Sequence, residues 1–304
     1  MINPPGAERY SLTTTQGEMV YYALTGEPWA GLYRQPWAEL PPLVFLHGFG
    51  GGSSAYEWSQ VYPAFALDYR VLAPDLIGWG RSAHPERDYQ PEDYLASLTD
   101  FLEQTCGRPT PVIASSLTAA LVIRLAIARP DLFQSLILVA PAGLSDFGND
   151  FSRTVLAQIA STPILDRLFY TLGIATASGI NRFLKVRQFA RPERIYPELV
   201  QAYQASATQP NADYAALAFV SGRLCFDLAN YLGQLTVPTA IFWGEQAALT
   251  PLDLGRRLAA LNPEAVRWFQ SLPGVGLTPQ LEAPAITIAL IRRALQHLTP
   301  TATP

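Results

Sequence analysis

Histidine and cysteine are scarce in this chain, with three of one and two of the other in 304 residues. The cysteines, Cys106 and Cys225, lie far apart and carry no metal-ligand spacing. That excludes a disulfide framework or a zinc site as the organising device, and two buried free thiols in a reducing compartment are expected. No metal and no cofactor are expected. Charge is sparse as well. Asp, Glu, Lys and Arg make up 15% of the residues, too few for a disordered chain or a long coiled coil. The net charge of −4 gives no global reason to expect nucleic acid as a partner. No apolar run approaches the roughly 18 residues of a membrane span. The first forty residues lack a charged stretch followed by an apolar one, so no signal peptide is read and a cytoplasmic location is expected. What the chain does have is 49% hydrophobic residues, enough for one large core or for a core with a smaller insertion.

Short apolar runs alternate with helical periodicity. Arg9 to Thr15 and Glu18 to Leu24 read as a strand pair around Gln16-Gly17, and residues 27–42, rich in Pro and Trp, as a surface excursion. Strands follow at Leu43–Leu46, Tyr69–Pro74, Val112–Ala114, Ser135–Ala140, Val237–Trp243 and Ala265–Gln270. Helices are expected at Ser53–Ala66, Pro91–Cys106, after Ser116, near 251–261 and near 283–298. Strands that are apolar throughout indicate a parallel sheet covered on both faces. The expected fold is therefore α/β: a mostly parallel, doubly wound sheet. Between 145 and 232 the strand signal stops and helical stretches dominate. This gives a core of 1–144 and 233–304 with an inserted helical cap of 145–232.

The chemistry concentrates in a few stretches. The first strand of the parallel set runs into His47-Gly48-Phe49-Gly50-Gly51-Gly52, a glycine loop whose backbone lets a ligand approach closely. Ala114-Ser115-Ser116-Leu117-Thr118 stands where a strand turns into a helix. A serine perched on such a turn is the signature of a nucleophile elbow. Ordinarily glycines flank it, and here Ala114 and Thr118 do, with the β-branched Thr118 the more serious departure. A serine capping the helix is the competing reading.

Four segments, LVFLHGFGGGSSAYEW, APDLIGWGRS, PVIASSLTAALVIRLA and VPTAIFWGE, resemble the α/β-hydrolase family in this order, and the resemblance runs from about Leu43 to Leu298. The ASSLTAA variant is similar to a subgroup of hydrolase-like proteins from cyanobacteria and plastids. The resemblance implies that Ser116 holds the nucleophile position and that the amides of Phe49 and Leu117 hold the place of the two oxyanion donors. Gly48, Ser115 and His84 then belong to the rim of the pocket. It also implies where the acid and the base should be. The acid's place, after Phe242-Trp243-Gly244, is Ala247, and the histidine's place, in Pro273–Pro279, is Leu277. Both groups that would move the serine's proton are missing. Losing the serine or the histidine of a triad costs about 10⁶ in turnover.

Replacements are few. His47 reads as a structural hydrogen-bonding residue of the glycine turn, His297 as a solvent-exposed residue near the end of the last helix, and His84 as the one stand-in base. Glu245 has no histidine to orient, and Asp227 reads as a helix cap. Three readings follow. The protein binds a mostly apolar small molecule, or a protein partner, with little or no turnover. Alternatively it is an active serine hydrolase or lyase using Ser116 with His84 or water as base. Alternatively it is a scaffold acting through its outer surface. Residues 181–194 (NRFLKVRQFARPER) carry five cations, interleaved with apolar side chains, against one acid. Such a stretch suits either a cap helix with its arginines in solvent or a peripheral contact with an anionic membrane.

Overall fold

The computed structural model describes residues 3–149, 167 and 169–298. Its strands are β1 (Ala7–Thr14), β2 (Gly17–Leu24), β3 (Pro42–Leu46), β4 (Arg70–Pro74), β5 (Thr110–Ser115), β6 (Phe133–Val139), β7 (Thr239–Gly244) and β8 (Val266–Leu272). They form one eight-stranded sheet in the order β1-β2-β4-β3-β5-β6-β7-β8. β1 and β2 pair antiparallel, as do β2 and β4. From β4 to β8 every pairing is parallel. Every residue of β3, β5 and β7 is buried, which is why these strands read as continuous apolar runs and not as alternating ones.

Helices α1 (Pro91–Cys106) and α2 (Ser116–Ala128) follow β4 and β5. Local chemistry sets the limits of α1. Pro91 occupies its first turn, the Asp93 carboxylate accepts the Gln90 amide at 2.8 Å, and Gly107 ends it at φ 67°. The stretch 53–66 corrects the sequence reading. It is not an α-helix but two short 3₁₀ turns, Ala55–Trp58 and Tyr62–Phe65. Pro63 has no amide to donate into a continuous helix, and the Ala55 amide is drawn to the Asp75 carboxylate at 2.7 Å. Cys106 is buried, whereas Cys225 is only half-buried, and neither forms a disulfide.

Between β6 and β7 the described residues are helical. A π-helical turn (Tyr170–Ile174) leads to α3 (Ala177–Phe183), then to a second π turn (Leu184–Gln188), α4 (Pro197–Ala207), α5 (Ala212–Val220) and α6 (Ala229–Leu232). Residues 150–166 and 168, in the part of the chain read as a cap, lie outside the described residues. The two ends of this insertion meet. Leu144 and Phe226 form a parallel bridge, and Asp146 accepts the amides of Gly143, Leu144 and Leu228. Asp227 accepts the amides of Phe147 and Ala229. The core closes with α7 (Leu252–Ala260), α8 (Pro279–Glu282) and α9 (Pro284–Leu298).

Candidate active site

Because β3, β5, β7 and β8 run parallel, the loops after them share the carboxyl edge of the sheet. The glycine loop, Ser116, Ala247 and Leu277 follow these four strands in turn. Ser116 adopts φ 55°, a left-handed conformation in a residue that is not glycine. That costs about 1–3 kcal/mol and lifts the side chain off the end of the strand. The expected interference from Thr118 is not realised. Thr118 is fully buried, and the sharp turn forms with Ala114 and Thr118 in the glycine places. Nor does either serine serve as a cap. Ser115 occupies the N-cap position without a side-chain capping bond, and its hydroxyl is buried with no partner.

Phe49 is buried and stacked on Trp79, with ring centroids 5.1 Å apart, while Tyr94 packs on it at 4.8 Å. This aromatic cluster fixes the loop that carries the Phe49 amide. His47 is fully buried at the base of the loop. Its Nδ1–H donates to the Gly48 carbonyl at 2.7 Å, and its Nε2 accepts the Leu76 amide at 3.0 Å. Burial lowers its pKa to about 4, so it is a neutral structural ring with both nitrogens committed. His84 is likewise engaged away from Ser116, with Nε2 at 3.3 Å from the Gly80 carbonyl and its pKa lowered by burial. Glu245 is exposed and accepts the Ser271 hydroxyl at 2.8 Å. Among the described residues no histidine is hydrogen-bonded to the Ser116 hydroxyl.

Ala247 and Leu277, the positions to which the resemblance assigns acid and histidine, sit on adjoining turns. Ala247 and Leu277 are buried, and the Gln246 amide donates to the Val275 carbonyl at 3.0 Å, joining the two turns. Residues 188–191, from the chain between β6 and β7, lie directly on them. The Leu277 amide donates to the Gln188 carbonyl at 2.7 Å. The buried Glu282 carboxylate gathers the amides of Gly276, Ala190 and Arg191 at 2.7, 3.1 and 2.8 Å. Close approach explains Gly276, where a Cβ would stand 2.2 Å from the Gln188 carbonyl oxygen. Two glycines of the loop after β3, Gly51 and Gly52, obey the same logic, whereas Gly48 faces Ser115 and Ser116. A Cβ on Gly52 would meet the Tyr203 carbonyl oxygen at 2.1 Å, and one on Gly51 would meet Ile174 at 2.4 Å. These glycines admit the cap.

Sequence reasoning missed a buried polar cluster at this seam. Glu57 is 1% exposed. It accepts the Gly48 amide at 3.0 Å on Oε2 and the Tyr203 hydroxyl at 3.0 Å on Oε1. Burial pushes its carboxyl above the usual range, and the hydrogen bonds from Gly48 and Tyr203 partly offset this. The Tyr203 oxygen also lies 3.4 Å from Gln188 Oε1. The available signal was a lone acid inside an aromatic run, Tyr56-Glu57-Trp58. A second buried acid, Asp75, holds the loop after β4 by accepting the amides of Ala55 and Arg81, with its pKa raised by burial to about 6. Among the described residues no cluster of His, Cys, Asp and Glu could hold a metal ion, and no helix is long and apolar enough to cross a membrane.

The model of the Alpha/beta hydrolase family matches residues 43–290. A 2-hydroxy-6-oxo-6-(2'-aminophenyl)hexa-2,4-dienoic acid hydrolase from Metapseudomonas resinovorans is 30% identical over 250 residues, covering 80% of each chain. A haloalkane dehalogenase from Bradyrhizobium diazoefficiens is 26% identical, covering 75% of this chain and 79% of its own. Among solved structures, the epoxide hydrolase CorEH superposes with a TM-score of 0.75 at 17% identity, over 96% of this chain and 99% of that one. With the family's sequence pattern spanning most of its length and the family's sheet beneath it, the chain belongs to the alpha/beta hydrolase family.

Proposed function

We propose that the protein uses this fold to bind a mostly apolar small molecule, or a partner, against the Ser116 elbow, with ordinary Ser-His-Asp turnover absent or very slow. The observation that carries this reading is the pairing of a presented hydroxyl with two apolar places, Ala247 and Leu277, where proton transfer would be organised. A serine hydroxyl needs a positioned base to act as an efficient nucleophile. The reading of an active enzyme using His84 as base finds no geometric support, because that ring bonds Gly80 and not Ser116. The relatives named above are a hydrolase and a dehalogenase, so loss of ordinary turnover would set this chain apart from them. The test is hydrolysis of short p-nitrophenyl esters, together with native mass spectrometry of protein purified from its source. Ester turnover is expected within a few-fold of background, with a retained small molecule in the mass spectrum. Rapid turnover abolished by Ser116→Ala would overturn the reading.

A peripheral membrane contact is the partner that the cap surface suits best. Leu172 and Val186 are 69% and 57% exposed, one on each π turn flanking α3. Arg182, Lys185 and Arg187 are exposed near them in sequence, and none of the three forms an ion pair among the described residues. Apolar tips amid unpaired cations match an anionic lipid surface. Co-sedimentation with vesicles containing phosphatidylserine should exceed that with pure phosphatidylcholine, fall with added salt, and be lost in an Arg182→Glu, Lys185→Glu, Arg187→Glu variant. Equal, salt-independent recovery on both vesicle types would refute the contact.

A further inference from the structure

We propose that Glu57 is the proton acceptor for Ser116, replacing the absent histidine in one slow covalent capture of an electrophilic carbonyl or phosphoryl ligand. The proposal rests on the reading above, in which Ser116 presents its hydroxyl without an ordinary triad. Geometry brings the carboxyl and the serines to one place. A Cβ built on Gly48 would lie 3.2 Å from Ser115 Oγ, 3.3 Å from Ser116 Cβ and 3.6 Å from Glu57 Oε2. The acid and both serines thus border one point on the bare face of Gly48, and a side chain at 48 would crowd it. Ser115 Oγ, buried and without a partner, faces the same point.

The other ionisable candidates bond elsewhere, His84 through Nε2 alone, with its Nδ1 buried and without a partner. His47 uses both ring nitrogens on backbone groups, His84 bonds Gly80, and Asp75 holds Ala55 and Arg81. Glu57 has no ion-pair partner among the described residues. Its burial raises the pKa of the carboxyl, which makes the carboxylate a stronger base than an exposed one. Tyr203 acts from the cap as a positioning residue, since its hydroxyl fixes Oε1 and leaves Oε2 on the side of Gly48. To take the proton, Oε2 exchanges the Gly48 amide for the Ser116 hydroxyl. A bond between catalytic groups is often formed only once ligand is bound.

The step balances with a phosphonofluoridate. The Ser116 oxygen forms a bond to phosphorus, the P–F bond breaks, and fluoride leaves with its electron pair. The serine proton passes to the Glu57 carboxylate and then to solvent. With an ester, the oxygen–carbon bond forms, the alkoxide leaves, and Glu57 returns the proton to it.

The experiment measures the rate of Ser116 modification by a fluorophosphonate–biotin probe from pH 4 to 9, read by intact-mass spectrometry and peptide mapping. Labelling of the wild type should be slow and should rise with pH through a midpoint above the ordinary carboxylate range. Glu57→Gln should slow labelling at pH 7 at least tenfold and flatten the profile. Tyr203→Phe should keep the reaction and move the midpoint upward, because it removes a hydrogen bond that favours the carboxylate. A purely structural role for Tyr203 would leave the midpoint in place. Thermal denaturation of each variant confirms folding, and if Glu57→Gln does not fold, the Tyr203→Phe midpoint decides. Wild-type labelling rate and pH profile in folded Glu57→Gln, an unmoved midpoint in Tyr203→Phe, or no labelling of Ser116 up to pH 9 would each overturn the proposal. Rapid p-nitrophenyl ester turnover, by contrast, would remove the binder reading and leave the Glu57 comparison to be read separately.

Discussion

The double variant Ala247→Asp, Leu277→His should hydrolyse p-nitrophenyl acetate at least a hundredfold faster than the wild type. A full triad contributes about 10⁶ in turnover, and a newly placed pair without refined surroundings recovers only part of that. The two turns already adjoin through the Gln246–Val275 hydrogen bond, and Ser116 already stands at φ 55°. The single changes should behave differently. Ala247→Asp buries an unpaired carboxylate and destabilises the fold. Leu277→His gives little activity, because nothing sets its tautomer or supports its charge. The combination should therefore be strongly non-additive. Thr118→Gly should add nothing, because Thr118 coexists with the sharp turn. If the double variant folds but stays at background and gains activity only with Thr118→Gly, the elbow is distorted after all. Background activity in both, with folding confirmed, would mean that no ester reaches a productive pose beneath the cap.

Glu282→Ala should cost about 3 kcal/mol of unfolding free energy, since it strips a buried acceptor from charge-assisted hydrogen bonds. Three amides depend on that carboxylate: Gly276 on the core side, Ala190 and Arg191 on the cap side. Glu282→Gln, which keeps one acceptor oxygen and loses the other, should fall between alanine and wild type. Urea unfolding at neutral pH measures all three proteins, and hydrogen exchange should place the added opening at residues 188–191 and 276–277. A loss below 1 kcal/mol for the alanine variant would show that other contacts hold the seam.

The order of strands was legible because each buried strand is a short apolar run, and because the elbow and glycine loop occupy fixed positions between them. The place of Ala247 and Leu277 at the carboxyl edge was legible for the same reason, since each stands in the turn that follows a buried strand. The residues 53–66 misled because apolar spacing was read as helical while Pro63 and the pull of Asp75 on Ala55 shorten the structure to 3₁₀ turns. Glu57 therefore went unnoticed, since a single acid in a supposed helix carries no signal of what it faces. Its partner Tyr203 is 146 residues away, and nothing periodic links the two. The role of Gly51 and Gly52 was misassigned for a related reason. A sequence shows that a backbone must be approached closely, but not whether the visitor is a ligand or the chain's own Ile174 and Tyr203.

The pinched neck makes the stretch of chain between β6 and β7 an exchangeable part. Leu144 and Phe226 stand side by side in a bridge, with Asp146 tying both ends. The sheet and the neck hold the point of departure against the point of return, whatever lies between. Since the entropy of closing a loop grows only logarithmically with its length, a shorter or longer lid between the same two anchors would leave the register of β6 and β7 unchanged. Lid grafting between members of the family therefore has a natural pair of cut sites here, just inside the Asp146 and Asp227 clasps.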